Sequence, residues 1–458
     1  MVFAKKGAPR YDGGVHRVKA LKTHQGGALT MKFKQSHGQN QRIERITTSH
    51  LIIGIDMAKE RHVAQATNFR GIVLSNRHLT FTNEQEGFIK LERWMNGLQQ
   101  KHRLKNLIIG MEPTGHYWFN LANWLLDLGI NVVLVNPATT KRNKENRDNT
   151  PSKSDPKDAL VIADVVSRGY YSDYKRQGHV FQRLKTIMSD REFWITNSVR
   201  LQNRIIRWLD IRFPEYPSVF KDWTCPRSMA TLKEFPTPLD LQSLTVEEVI
   251  QRWKKHMKRP GGVTGIQRAS YLLHEAKQSI GDTTALEEAK QDLQRLLEQF
   301  ERIDEILDKI EYEIITLLGE IPLAEQIRSI KGLGPIFTAA ILAGAGDLKQ
   351  YAHGRQLLRR AGLNLAESTS GKRKGQIILS KRGDATLRKY MYLATTQLVA
   401  NNPAFKQWHE HNVQNKHMKK QRSIFKLLGK LARILIGIVH HGENFSPEKA
   451  ASVYDQAA

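Results

Sequence analysis

The chain has 458 residues, too many for one typical domain, so two or three domains are expected. Its formal net charge of +26, with 40% hydrophobic residues, indicates a globular protein that binds a polyanion such as nucleic acid. A cytoplasmic protein without membrane contact is expected, because no apolar run approaches the roughly 18 to 20 residues of a membrane-spanning helix and the single cysteine, Cys225, excludes an internal disulfide framework.

The first 47 residues form a basic extension, with ten Lys or Arg residues against two acids. This segment contains several glycines and shows no hydrophobic period. It is either a disordered tail or an arm that becomes ordered on nucleic acid, and the sequence leaves both readings open.

Residues 48–178 alternate strand and helix patterns, which predicts an α/β layer with a mixed sheet. Short apolar runs bounded by turn residues predict the strands. The predicted strands are 51–55, 62–67, 71–81, 107–111 and 130–135. The predicted helices are 84–100 and 117–128. The polar, basic stretch 139–151 is predicted to be a mobile loop beside the site.

Four acidic residues in this region lie where a metal-dependent nucleic-acid enzyme would place them. Asp56 and Glu112 each end a predicted strand, and Asp155 and Asp158 are three residues apart at a helix start. An open sheet carries its chemistry at strand ends, and an i, i+3 pair shares one helix face. Carboxylate oxygens are the ligands that Mg²⁺ and Mn²⁺ prefer.

Each acid also has a structural interpretation. Asp155 would suit a helix N-cap, with Pro156 at the first helical position, and Asp56 and Glu112 could be polar strand ends. The combination favours a metal site, because four neighbouring carboxylates repel one another without a cation.

Residues 179–321 are predicted to be a helical region with an irregular insert. A long helix is expected over 180–212, whereas 213–282 contains six prolines. A heptad pattern follows, with apolar residues at both core positions, which is typical of a coiled coil. Its first core positions are Leu286, Leu293, Phe300, Leu307, Ile314 and Ile321. The heptads indicate either an intramolecular hairpin with the 184–209 helix or a dimer seam.

Residues 322–445 begin with a candidate helix-hairpin-helix. Gly332 and Gly334 suit a tight turn after Lys331, and Pro335 suits the first position of a second helix. Backbone amides at such a helix start can hold a phosphate, although the pattern also fits an ordinary helix–helix turn. Helical spacing resumes later and continues to about His440, and 446–458 is a tail.

A hydroxyl cluster, Ser368, Thr369 and Ser370, lies between these helical stretches. Basic residues follow it and could neutralise a phosphorane-like transition state. They are Lys372, Arg373, Lys374, Lys381 and Arg382. The cluster is therefore a candidate nucleophile in a nucleic-acid-binding segment.

Motifs in 50–175 and 322–400 resemble the "one-ten" family of bacterial insertion-sequence transposases. The N-terminal motifs are Gly54-Ile55-Asp56-Met57-Ala58-Lys59, Met111-Glu112-Pro113-Thr114-Gly115 and Ser154-Asp155-Pro156-Lys157-Asp158-Ala159. The C-terminal motifs are Gly332-Leu333-Gly334-Pro335, Arg360-Ala361-Gly362-Leu363, Ser370-Gly371 and Ser380-Lys381-Arg382-Gly383-Asp384. The basic extension and residues 213–282 depart from the family's pattern.

The resemblance implies an α/β plus α protein. A RuvC-like domain of ribonuclease H type would carry the DEDD residues and Mg²⁺ or Mn²⁺, followed by a coiled-coil linker and a mainly helical transposase domain. The family's serine precedes a glycine, which selects Ser370 as the nucleophile of a phosphoserine bond. The implied partners are target and donor DNA, a structured bridge RNA, and further copies of the chain, as a dimer that assembles to a tetramer.

Three functions remain open at this point. The first is a site-specific recombinase, acting in the bacterial nucleoid. The second is a metal-dependent junction nuclease in which water attacks and Ser370 is incidental. The third is a non-enzymatic RNA-binding scaffold. A phosphoserine intermediate separates the first from the second, and metal-dependent cleavage separates both from the third.

Overall fold

The structure is a computed structural model that describes residues 37–147, 154–367 and 377–450. Ser370, Lys372, Arg373 and Lys374 lie outside the described residues. The chain divides into two compact units, the first ending at Arg176 and the second beginning at Gln177. In the described part of the chain, no helix is both long and apolar enough to span a bilayer.

The first unit is built on a six-stranded mixed sheet in the order β3-β2-β1-β4-β5-β6. Strands β1, β4 and β5 are parallel, and the other neighbours pair antiparallel. Its elements are α1 (His37–Glu44), β1 (His50–Asp56), β2 (Arg61–Thr67), β3 (Leu79–Thr82), α2 (Gln85–His102), β4 (Asn106–Met111), α3 (Trp118–Asp127), β5 (Asn131–Leu134), α4 (Pro137–Arg147), α5 (Asp155–Ser167) and β6 (Ser172–Asp173). The predicted mixed α/β layer is confirmed.

The sheet is covered on both faces, so its central strands are apolar throughout. Ile53 and Ile55 belong to the core that includes helices α2 and α3. Ile52, which points to the opposite face of the sheet, belongs to the core that includes α5. Three layers result, with α2 and α3 on one side of the sheet and α5 on the other.

Two predictions for this unit are wrong. The predicted strand 71–81 is only Leu79–Thr82, because Val73 makes no more than an isolated bridge with Thr67 and residues 74–78 do not pair in the sheet. The predicted mobile loop begins with helix α4, whereas 148–151 lie outside the described residues. Asn136 starts this helix, since its side-chain oxygen accepts from the amide of Ala138.

Among its described residues, the second unit is helical apart from one short pair of antiparallel strands. Its elements are α6 (His179–Arg212), α7 (Tyr216–Val219), α8 (Pro226–Glu234), α9 (Val246–Trp253), α10 (Val263–Lys277), α11 (Leu286–Gly319), α12 (Pro322–Arg328), α13 (Pro335–Ala345), α14 (Gly354–Arg360), β7 (Leu365–Glu367), β8 (Ile377–Leu379), α15 (Ala385–Asn401), α16 (Pro403–Glu410) and α17 (Lys420–His441). Short 3₁₀ helices lie at Pro238–Asp240 and Leu348–Gln350, and a π-helical turn at His411–Asn415.

Helices α6 and α11 pack along each other in opposite directions. Three ion pairs show the direction, because the α11 residue number falls as the α6 number rises. They are Arg183–Glu320 at 2.9 Å, Arg191–Glu311 at 2.6 Å and Arg204–Asp292 at 3.0 Å. The heptad side chains of α11, such as Leu293 and Ile314, are buried in the single chain. This is the arrangement of the intramolecular alternative, and the oligomeric state stays a prediction.

The insert 213–282 is helical rather than irregular. Three of its six prolines lie in the first turn of a helix, where the missing amide hydrogen costs nothing. Pro226 begins α8, and Pro238 begins a 3₁₀ turn. The insert has a core of its own, with Phe213, Tyr216 and Trp253 fully buried, which also takes in the adjoining ends of α6 and α11.

Candidate active site

Two adjacent parallel strands bring Asp56 and Glu112 to the same edge of the sheet. Gly54 pairs with Gly110, so Asp56 at the end of β1 and Glu112 just after β4 occupy equivalent positions. Side chains alternate along a strand, so Asp56 shares the face of Gly54. That face is the one covered by α5.

Helix α5 lies directly on two glycines. A Cβ atom built on Gly54 would be 2.0 Å from the carbonyl oxygen of Ala159, and one on Gly110 would be 2.5 Å from Cγ2 of Val166. Only glycine permits this close approach. The sheet-facing residues of α5 follow i, i+3, i+4 spacing, and Asp155 and Asp158 extend that row toward the strand ends.

The start of α5 differs from the predicted one. Ser154 is the N-cap residue, Asp155 is the first helical residue, and Pro156 is the second. The capping interpretation of Asp155 is therefore wrong. The helix dipole favours negative charge in this first turn.

The four acids act on one another. The pKa of Asp56 is raised to about 6, first by burial and then by the charges of Asp158, Asp155 and Glu112, in that order. Glu112 accepts a hydrogen bond from the Thr114 hydroxyl at 3.0 Å. The carboxylates thus influence one another at the edge of the sheet, while their role as a metal site stays a prediction.

Lys144 is a member of this site that the sequence did not reveal. It lies on α4, in the stretch predicted to be a loop, and its ammonium forms an ion pair with Oδ1 of Asp158. Asn143 beside it donates to Oδ2 of Asp164 on α5 at 2.8 Å. A helix prediction for 137–147 would have placed Thr140, Asn143 and Lys144 on one face, but the segment is too polar to show a hydrophobic period.

The donor set fits a hard divalent cation in its chemistry, since all four side chains offer carboxylate oxygens. Among the described residues, no three acidic, His or Cys side chains converge on a point where they could hold a metal. Asp158, Asp155 and Glu112 raise the pKa of Asp56 by their charge. A metal site would also require their oxygens to surround one point, which is a stricter condition. The Lys144–Asp158 ion pair lies within this group.

The second unit holds the other predicted site residues. Lys381 and Arg382 are exposed on the turn before α15. This turn packs closely against the residues that follow α14. The Lys381 amide donates to the carbonyl oxygen of Gly362 at 2.9 Å. A Cβ atom built on Gly383 would be 2.3 Å from the Gly362 nitrogen. Arg388, which sequence reasoning missed, donates to the carbonyls of Ala361 and Lys381 and fixes the turn.

The candidate phosphate-binding turn lies between α12 and α13. Gly332 has a φ of +98°, and Pro335 begins α13 after Gly334. Lys331 is exposed, and its carbonyl accepts from the Asn402 side chain at 2.8 Å. The turn is therefore fixed by α15 and α16 behind it, while a nucleic-acid role for Lys331, Gly332 and Gly334 stays a prediction.

We expect Gly54→Ala to displace α5, because the new methyl group would overlap the backbone at Ala159 and Ala163. Overpacking of this kind costs about 1–3 kcal/mol or more, and thermal denaturation should show a lower Tm. Gly97→Ala is the matched control. Gly97 is exposed on α2 with nothing within 4 Å of its Cβ position, so alanine there should raise the stability by about 1 kcal/mol. A Gly54→Ala protein as stable as Gly97→Ala would contradict the close packing of α5.

Two family models match this chain. One, described as "Transposase", matches residues 53–214, and the other, described as "Transposase IS116/IS110/IS902 family", matches residues 324–410. The first range contains all four acids. The second contains the α12–α13 turn and the turn before α15.

Curated relatives agree with the models. The chain is 25% identical over 370 residues to "Insertion element IS116 uncharacterized 44.8 kDa protein" of Streptomyces clavuligerus, a match covering 77% of this chain and 86% of that one. It is 32% identical over 118 residues to the "Pilin gene-inverting protein" of Moraxella lacunata, covering 25% and 34%. It is 23% identical over 248 residues to the "Mini-circle putative transposase for IS117" of Streptomyces coelicolor, covering 50% and 59%.

Proposed function

Since this chain belongs to the IS116/IS110/IS902 family of transposases, we propose that it is a site-specific DNA recombinase of a bacterial insertion sequence. The observation that carries the proposal is the placement of Asp56 and Glu112 at neighbouring parallel strand ends, under a helix that begins with Asp155 and Asp158. The names of a pilin gene-inverting protein and a mini-circle transposase among the relatives support DNA rearrangement as the reaction class.

In the proposed assignment, the first unit is a RuvC-like domain of ribonuclease H type over 48–178. The α6–α11 hairpin with its insert forms the region 179–321, and the transposase domain covers 322–445. Support for the first assignment comes from the mixed sheet with its central parallel strands and from carboxylates at the strand ends.

Asp56, Glu112, Asp155 and Asp158 are proposed to hold Mg²⁺ or Mn²⁺. When bound, such a cation polarises the scissile phosphate and stabilises developing charge. The support is the all-carboxylate donor set and the raised pKa of Asp56, which reflects burial and three neighbouring acids.

Ser370 is proposed as the nucleophile. Its Oγ would form a bond to phosphorus as its proton leaves, and the bond from phosphorus to the 3′ oxygen would break, with that oxygen taking up a proton. The products are a phosphoserine link and a free 3′ hydroxyl. Because the covalent link conserves the phosphodiester bond, a 3′ hydroxyl of the exchanged strand can reverse the step without ATP.

The proposed partners are target and donor DNA, a structured bridge RNA that pairs with both, and further copies of the chain. Support for nucleic acid comes from the net charge of +26 and from the exposed Lys331, Lys381 and Arg382. Strand exchange needs several active sites, which favours a dimer that assembles to a tetramer. The DNA substrates place the reaction in the bacterial cytoplasm.

A metal-dependent junction nuclease is the second candidate. It is favoured by the location of all four acids in one unit, because hydrolysis by a metal-bound site requires no serine. In that case water attacks the phosphate, and Ser370 has no covalent role.

The test is cleavage of DNA carrying the element's ends, with the RNA that copurifies with the protein. We expect Mg²⁺-dependent strand cleavage and a covalent protein–DNA adduct that survives denaturation. Cleavage without an adduct would support the nuclease instead. Full cleavage in EDTA would overturn the metal assignment, and absence of cleavage under every condition would overturn both enzymes.

A further inference from the structure

The acidic site contains its own cation. Lys144 reaches from α4 to Asp158, and both side chains are largely buried, with exposed fractions of 26% and 16%. The ammonium is thus paired with one of the three carboxylates that, together with burial, raise the pKa of Asp56. A lysine in this position offsets part of the repulsion that the acids would otherwise impose on the folded protein.

Helix α4 is attached to α5 independently of this ion pair. Asn143 donates to Asp164 at 2.8 Å, and Thr140 is buried one turn earlier. The Lys144 ammonium stands at the end of a flexible four-carbon stem. It can therefore leave Asp158 by rotation of its own side chain, while α4 stays in place.

We propose that Lys144 is an exchangeable cation of the acidic site: it neutralises Asp158 in the metal-free protein and is displaced when a divalent cation binds. This inference rests on the proposed metal site. It accounts for four acids that influence one another electrostatically without converging on a common point, because Lys144 holds Asp158 toward α4.

The displaced ammonium acquires a second role. It remains at the edge of the site, where the nucleic-acid backbone must approach the carboxylates, and it then compensates a phosphate instead of an acid. Lys144 is thus a positioning residue that couples metal binding to substrate binding. Metal binding releases the ammonium from Asp158, and substrate binding then uses the same positive charge to neutralise a phosphate.

The test measures Mn²⁺ binding to the full-length protein by electron paramagnetic resonance, without nucleic acid. Lys144→Gln should lower the apparent Kd roughly tenfold, as expected for removing one unit charge a few ångströms from a dication near the protein surface. Lys141→Gln is the matched control. It removes the same charge from the same helix, but Lys141 is exposed, so solvent and salt screen it and the Kd should change less than about twofold.

A second readout separates this role from a merely structural one. Lys144→Gln should lower the Tm of the metal-free protein and show a larger Tm increase on adding Mn²⁺ than the unmodified chain does. Lys144→Arg, which keeps the charge, should restore both values. If Lys144→Gln does not fold, Lys144→Met takes its place, because it also removes the charge and should lower the Kd to the same extent.

The outcomes are distinguishable from those for the proposed function. If the unmodified chain binds Mn²⁺ and Lys144→Gln binds it no more tightly than Lys141→Gln does, the exchange is refuted and the metal site stands. If no variant binds Mn²⁺ and cleavage persists in EDTA, the metal site fails as well. Binding that appears only in Lys144→Gln would overturn the exchange, because Lys144 would then block the site without being displaced by the cation.

Discussion

Asp56→Asn is expected to reduce strand cleavage by at least about a thousandfold, because it replaces a carboxylate ligand at the centre of the four acids with a neutral amide. The variant should remain folded, since Asn has the same size and the strand hydrogen bonds are made by the backbone. Measurement of single-turnover cleavage at saturating Mg²⁺ tests this. Glu86→Gln, at an exposed acid in the first turn of α2, is the control and should cleave normally.

The same substitution should stabilise the metal-free protein at neutral pH. The pKa of Asp56 is raised to about 6 in the folded state, so ionisation of this group disfavours folding. Its cost is absent below the ordinary aspartate pKa, grows as the pH rises from about 4 to about 6, and is fully present above that. After allowance for solvent screening, removing it should gain about 1 kcal/mol.

Thermal denaturation at pH 5 and pH 8 checks this sign. The stability difference between Asp56→Asn and the unmodified chain should be larger at pH 8. A larger difference at pH 5 would show that Asp56 is not electrostatically strained by its neighbours. Metal binding by the unmodified chain should weaken as the pH falls below about 6, because protons then compete for the same oxygen.

Ser370→Ala is expected to abolish covalent protein–DNA adducts while leaving nucleic-acid affinity within about twofold. One hydroxyl contributes little to an interface dominated by phosphate contacts, whereas a nucleophile has no substitute. Denaturing gels with labelled DNA report the adduct, and filter binding reports affinity. Ser368→Ala is the matched control in the same segment and should form adducts normally.

Persistent adducts in Ser370→Ala would place the nucleophile elsewhere, with Thr369 and Ser368 the next residues to test. Loss of adducts in Ser368→Ala as well would instead indicate that the segment must keep its conformation. Cleavage that continues without adducts would favour hydrolysis by the acidic site alone. Each result therefore assigns a different role to the hydroxyl cluster.

Buried strands and the acids that follow them could be predicted because their signal is local. The run Leu51–Ile55 is apolar on both faces, as expected for a strand covered on both sides, and Asp56 interrupts it at its end. Similarly, Gly54 and Gly110 are visible in the sequence. Their role depends on the packing of α5 against them, which the sequence does not contain as a local signal.

Helix α4 could not be predicted because it lacks an apolar face. Its contacts with α5 are polar, through Asn143 and Lys144, so no hydrophobic period marks it. Lys144 could not be assigned to the acidic site from the sequence for the same reason. The insert was obscured differently: its prolines suggested broken structure, yet several of them begin helices.

The α6–α11 hairpin belongs to two hydrophobic cores at once. Leu184 and Met188 pack with the helices of the C-terminal region, whereas Trp208 and Leu209 pack with the insert. Along α11, Ile314 packs with the C-terminal helices and Leu293 packs with the insert. Because each core can be lost by itself, hydrogen exchange should detect two cooperative opening events along one continuous pair of helices, each with its own free energy. A perturbation confined to the insert would then open the end of the hairpin that contains Trp208 and Leu293. The end that contains Leu184 and Ile314 would stay protected.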